Sequence, residues 1–187
     1  MIQLLVLVLI AIPSLGNASP PPLVADSIYQ SNTKWTDQTG KELTLKEFRG
    51  KAIAISMVYM SCKHTCPMTV ARMKEIEKEL GSDKKNVRFV LVSFDPKRDT
   101  PDVMRKFAEK HELPFPDWMF ITSQQESHLR ELSSLIDFKY RKVAEDEFEH
   151  SYGVVALDPQ GRVIGRIEGS EMKPKELAKK MRKSLKN

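Results

Sequence analysis

Two cysteines, Cys62 and Cys66, hold all the thiol chemistry of this chain, and three residues separate them in Tyr59-Met60-Ser61-Cys62-Lys63-His64-Thr65-Cys66-Pro67. As thiolates they would attack disulfides or bind a soft metal ion. The flanking residues place them. Ala52 to Val58 is a short apolar run that suits a strand buried on both faces. Pro67 reads as the first position of a helix, where its missing N–H costs nothing, so Cys66 falls at the N-cap and Cys62 in the turn before it. Unpaired N–H groups and the helix dipole at that point favour the thiolate. A plain disulfide staple is the alternative. Closing so small a ring removes only about 2 kcal/mol of unfolded-state freedom, a weak clamp for a chain able to build its own core. Redox exchange and metal binding both remain open on the spacing alone.

The elements that must carry this pair follow in chain order. Ile2 to Ile12 is apolar apart from Gln3 and leads through Pro13 to Gly16-Asn17-Ala18, the pattern of a secretory signal cleaved after Ala18. Residues 1–18 are therefore expected to be removed, with no membrane anchor left after cleavage and an exported, oxidising location, periplasmic in a bacterium. Residues 19–30, with Pro20-Pro21-Pro22, read as an extended leader. The domain is expected over 31–187. It opens with a small hairpin through Trp35, the turn-like Asp37-Gln38-Thr39-Gly40 and Leu43 to Leu45.

Beyond the cysteines, the helix from Pro67 presents Val70, Met73, Ile76 and Leu80 on one side and stops at Gly81. Val87 to Phe94 is the next strand. A second helix starts at Pro101 with Val103, Phe107 and Ala108 inward. Trp118 to Ile121 is a strand, and Ser123 caps a third helix carrying Leu129, Leu132, Leu135 and Ile136. Phe138 to Val143 and Tyr152 to Leu157 are β-like. The acidic stretch Glu145 to Glu149 between them reads as a solvated loop. Asp158-Pro159-Gln160-Gly161 turns a final hairpin into Arg162 to Ile167. The order predicts an α/β domain with parallel central strands and an antiparallel edge.

Charge is uneven. Seven Lys or Arg against Glu176 give Lys173 to Asn187 a charge of +6, so the chain total of +5 leaves −1 for everything earlier. Leu177, Met181 and Leu185 give that terminal helix an apolar stripe. The opposite face reads as a solvated basic surface, or one suited to an acidic partner or an anionic membrane. It has no aromatic residue on which a base could stack, which argues against nucleic acid.

Several of these motifs together resemble the Sco/SenC family. They are Gly40-Lys41-Glu42-Leu43-Thr44-Leu45, Phe48-Arg49-Gly50-Lys51, Cys62 to Cys66-Pro67, Asp95-Pro96-Lys97-Arg98-Asp99-Thr100-Pro101, His150-Ser151 and Leu157 to Gly161. The likeness runs from about Thr36 to Gly169. It implies a thioredoxin-like domain, a central mixed sheet flanked by helices, that binds copper through two cysteines and a histidine. It also implies assistance in assembling the binuclear copper site of cytochrome c oxidase, so that the partner is the oxidase copper-site subunit or another copper protein. Thiol-disulfide reduction, with a redox partner, is the alternative within the family, and Cys62 and Cys66 would then be the catalytic pair.

The ligands implied by that resemblance are Cys62, Cys66 and His150. Two thiolates and an imidazole suit Cu(I), and added oxygen donors would accommodate Cu(II). The insert Lys63-His64-Thr65 stands where the family usually has a Pro-Asp-Val-like sequence. That exchange places cationic groups beside the sulfurs and makes His64 a further ligand candidate. Met60 and Met68 are expected to fill the core, Asp95 and Asp158 to form turns, and His111 and His128 to sit on helices. No proline lies between Val143 and Leu157, where oxidoreductases of this fold commonly place a cis-proline; His150 lies there instead.

Overall fold

The computed structural model describes residues 22–62, 65–145, 147–169 and 173–186, with residues 65 and 66 described by their backbone alone. The apolar run, its cleavage position and the Lys63-His64 pair lie outside the described residues. Seven strands form the main sheet, and their sequence explains its centre. β3 (Ala52–Val58) is buried at every position. It lies parallel to β4 (Val87–Ser93) from the Ala52–Val87 pair to the Val58–Ser93 pair. β5 (Trp118–Thr122) continues the parallel set beyond β4. Strands flanked by others on both sides, with helices above them, need apolar side chains throughout, which is how these segments read.

Antiparallel hairpins close both edges. β1 (Lys34–Asp37) and β2 (Glu42–Thr44) add to β5, while β8 (Gly153–Leu157) and β9 (Val163–Glu168) add to β3. The sheet order is therefore β2-β1-β5-β4-β3-β8-β9. The sheet is mixed, as expected, with the antiparallel element on two edges and not one.

α1 (Thr65–Leu80) buries Val70, Met73, Ile76 and Leu80. Gly81, at φ +58, stops it in a conformation that few other residues adopt. The helix starts two residues before the expected position, so Pro67 occupies its first turn without opening it and Cys66 is helical rather than capping. α2 (Pro101–Lys110) does begin at its proline, with the Thr100 side chain accepting from the Val103 N–H. Its inward residues are Met104 and Ala108, and Val103 is exposed. α3 (Glu126–Leu135) buries Leu129 and Leu132, while Leu135 faces solvent. α4 (Pro174–Ser184) buries Leu177, Ala178 and Met181. Lys74 on α1 donates to the carbonyl of His111 at the end of α2, and Arg182 on α4 donates to that of Glu79, so α1 sits between the two.

Two expectations need correction. Packing starts earlier than the leader boundary at Gln30, because Ile28 and Tyr29 form a short 3-10 turn buried in the core. Ser27 Oγ donates to the Gln160 carbonyl at 2.5 Å and the Ile28 N–H to that of Gly161 at 3.0 Å, fastening this turn to the β8–β9 connection. The acidic stretch is also not a loop. Glu147–His150 is a strand, β7, paired antiparallel with β6 (Tyr140–Ala144) in a separate two-stranded sheet. Glu147 and Glu149 point outward while Phe148 and His150 turn inward, so an alternating pattern overrides the charge.

Candidate metal centre

Sheet direction brings the two distant motifs together. β3, β4 and β5 run parallel, so Val58, Ser93 and Thr122 share one end of the sheet. β8 runs the other way and starts at that end with Gly153, whose carbonyl accepts from the buried Ser56 hydroxyl at 2.7 Å. Cys62 lies just past the end of β3 and His150 just before the start of β8. The chain folds both to the same rim.

Tyr59 links them. The Cys62 N–H donates to the Tyr59 carbonyl at 3.1 Å, forming the tight turn that precedes α1. The Tyr59 ring meets the His150 imidazole edge-on, with centroids 5.9 Å apart. His150 is further enclosed by Phe94 at 5.4 Å and by Phe138, which stacks on it at 6.1 Å. Phe94 also meets Tyr59 and Phe138, the other two rings around the histidine, as well as Tyr140 and Phe148.

The hydrogen bond of His150 fixes its tautomer. Nδ1 lies 2.6 Å from the Ser151 carbonyl, which can only accept, so Nδ1 carries the proton. In the neutral imidazole that leaves the ring lone pair on Nε2. Metal-binding histidines are commonly oriented by such a bond from the other ring nitrogen, and this donor set fits a soft or borderline ion. Cys62 is half-buried at the rim, against the core. The side chain of Cys66 is outside the described ones, and among the described residues no three His, Cys, Asp or Glu side chains cluster at metal-binding range.

Asp99 was not singled out by sequence as a site residue. Its Oδ2 accepts from the Met60 N–H at 3.0 Å and from the Ser93 hydroxyl at 2.5 Å, tying the loop before Cys62 to the end of β4. Asp99 is 1% exposed. Burial raises its pKa, with the Asp95 charge adding to the effect and the Ser93, Met60 and Arg98 interactions opposing it. Asp95 is a turn former, as expected: its carbonyl accepts from the Arg98 and Asp99 N–H groups and its carboxylate pairs with Arg98. Asp158 likewise organises its turn, accepting from the Gln160 and Arg162 N–H groups.

The remaining candidates separate. Met60 packs partly buried against the core, whereas Met68 is half-exposed on the first turn of α1 and fills no core space. His111 lies against Phe107 with centroids 4.2 Å apart, and His128 bonds Ser123 and the Lys34 carbonyl; both have other partners than the rings around His150.

Comparison with known proteins places the chain in a family. The SCO1/SenC family model matches residues 25–186. The SCO1 protein homolog of Bacillus subtilis is 29% identical over 140 residues, covering 74% of this chain and 72% of that protein. The structure of Bradyrhizobium japonicum ScoI with copper bound aligns with a TM-score of 0.67 at 23% identity, over 81% of this chain and 96% of that one. BsSco, described as a member of the Sco family of cytochrome c oxidase assembly proteins with a disulfide switch, gives 0.72 at 22%, over 82% and 91%. These structural likenesses establish the thioredoxin-like fold. The family match extends from before the first buried turn to the end of α4, and the chain belongs to the SCO1/SenC family.

Proposed function

We propose that this protein is a copper-binding metallochaperone of the exported space, which holds copper through Cys62, Cys66 and His150. It would assist assembly of the binuclear copper site of cytochrome c oxidase. The observation that carries the reading is the convergence of Cys62 and His150 on Tyr59, from segments nearly ninety positions apart in sequence. A redox pair needs no imidazole fixed with Nε2 as its acceptor nitrogen; a copper site uses one. Copper-bound and oxidase-assembly members of the family support the same reading. Copper would supply the cargo, and the side chains named would supply two thiolates and a nitrogen.

Anaerobic titration of the reduced protein with Cu(I), with bound metal counted and Cu–S absorption followed, tests this. One tightly bound copper per chain is expected. No binding, together with efficient disulfide exchange at Cys62 and Cys66, would replace the reading with a thiol-disulfide reductase acting on cysteines of copper-site clients.

A further inference from the structure

The basic C-terminal segment has no part in the metal centre, yet its geometry is specific. Lys175, Lys179 and Lys183 recur every four residues along α4, and Lys186 extends the row just past the helix end. Helical spacing places them on one face, opposite the buried Leu177, Ala178 and Met181. All four lysines are exposed, and none has an ion pair among the described residues, nor has neighbouring Lys180. By contrast, Lys173 pairs with Glu176 and Arg182 with Asp83. This row of four lysines spans roughly 16 Å along the helix at its 1.5 Å rise per residue, and Lys175 at its start shares a surface cavity with carboxylates beyond α4, those of Glu75 and Glu79.

One part of the row borders the β8–β9 connection. Lys180 and Lys183 line a cavity with Asp158, Gln160 and Arg162, and the carbonyls of Gln160 and Gly161 hold the N-terminal turn at Ser27 and Ile28. The chain thus enters the domain beside the basic face. Leu157 precedes this connection and pairs with Ile53 near the start of β3, whereas Cys62 follows the end of β3. The Lys180 and Lys183 side of α4 therefore borders the end of the sheet opposite the candidate metal centre, while the helix itself lies against α1 and β9.

We propose that this face of α4 docks on an anionic phospholipid bilayer. A bilayer suits the chemistry better than an acidic protein. Protein interfaces depend on buried aromatic or Arg anchors, and the segment after Lys173 has no aromatic residue, while its single Arg is engaged with Asp83. Flexible, strongly hydrated lysines match a fluid array of headgroups that needs no fixed register. Such docking would keep the protein near a membrane even without an apolar anchor, and no helix among the described residues is long and apolar enough to cross one.

Co-sedimentation of the full chain with phosphatidylcholine vesicles, with and without added phosphatidylglycerol, tests the proposal. Partitioning should rise roughly tenfold or more on the anionic vesicles at about 0.05 M salt and fall to the zwitterionic level at about 0.5 M. Any insertion of the Ile2 to Ile12 run would be common to both vesicle types and so does not contribute to the difference. K175E/K179E/K183E/K186E should abolish the preference while keeping the unfolding transition, and the four-fold Gln variant serves if charge reversal impairs folding. Equal binding to both vesicles, or a preference that survives in these variants, overturns the proposal and leaves an acidic protein as the occupant to seek.

Discussion

The Tyr59 ring stands at 87° to the His150 imidazole, with 5.9 Å between centroids, while the Tyr59 carbonyl receives the Cys62 N–H. One residue thus sets the turn that carries the first cysteine and forms a wall against the histidine. Edge-to-face contacts of this kind favour a particular ring orientation, beyond the apolar area that they bury. His150 would otherwise lie at the end of a two-stranded ribbon, an arrangement that is marginal on its own. Packing of Tyr59, Phe94, Phe138 and Phe148 is what fastens the ribbon to the sheet.

Phe94 is the centre of that packing, at 2% exposure. Phe94→Ala is expected to lower the unfolding free energy by about 3–5 kcal/mol, the range for removing a buried aromatic ring. Phe94→Leu should cost less and leave a folded protein whose His150 imidazole resonances are shifted. Urea titration with imidazole NMR would check both. Unshifted resonances in the Leu variant would mean that the ribbon is held in some other way.

Asp99 gives a prediction in pH. Its pKa is raised in the fold, mainly by burial, so the folded protein holds this proton more tightly than the unfolded chain. The corresponding stability is fully present below the ordinary carboxylate range and is lost as pH rises through the raised value. Asp99→Asn can still accept from the Met60 N–H but does not ionise. Wild type should therefore lose stability relative to the Asn variant across that window. Denaturant unfolding of both proteins at a series of pH values tests it, and a constant difference would refute it. Asp99→Ala, which strands the Met60 N–H and the Ser93 hydroxyl, should cost about 1–3 kcal/mol below the ordinary carboxylate range and less as pH rises through the raised value.

The central strands were legible in the sequence because β3 and β4 are apolar runs too short for helices and are bounded by turn residues. The rim was legible only in part. Cysteine spacing exposes Cys62, but nothing local marks a histidine after acidic residues as a ligand, and that role for His150 follows from family resemblance. The missed signal was the alternation in Glu147-Phe148-Glu149-His150, where period-two patterning competes with charge. Asp99 was hidden differently: its partners, Met60 and Ser93, become neighbours only through the parallel pairing of β3 with β4. Val103 and Leu135 were misplaced because apolar spacing on a short helix does not say how far the buried face extends.

At the opposite end, Gly161 has φ +82, and an added Cβ would lie 2.8 Å from Ser27 Oγ and from the Tyr29 ring. Gly161→Ala should combine backbone strain with displacement of the buried N-terminal turn, costing about 1–3 kcal/mol. Copper stoichiometry should be unchanged, since the turn is at the far end of the sheet. Thermal unfolding and metal counting on one preparation would show both; lost copper binding in a folded variant would contradict the separation of the two ends.

Cys62→Ser/Cys66→Ser should remain folded. The Cys62 turn is closed by its backbone N–H, which serine retains, and the apolar faces of β3 and α1 are built from other residues. A cooperative thermal transition within a few degrees of wild type, roughly the effect of 1 kcal/mol or less, is expected. An unfolded double variant would return the pair to the role of a structural staple.

His150 separates the two oxidation states of copper. Two thiolates alone can hold Cu(I), but Cu(II) prefers nitrogen and oxygen donors in a tetragonal set, so loss of the imidazole should weaken Cu(II) most. The Ser151 carbonyl, which fixes the Nδ1 proton, and the Tyr59 and Phe138 rings orient Nε2, so truncation to alanine removes an already oriented nitrogen. His150→Ala is expected to retain measurable Cu(I) binding, to lose Cu(II) affinity by roughly tenfold to a hundredfold or more, and to keep disulfide exchange by Cys62 and Cys66. Competition titrations in both oxidation states, with Cys66→Ser for comparison, measure this. Unchanged Cu(II) affinity and spectrum in His150→Ala would take His150 out of the site and make His64 the nitrogen donor to test next.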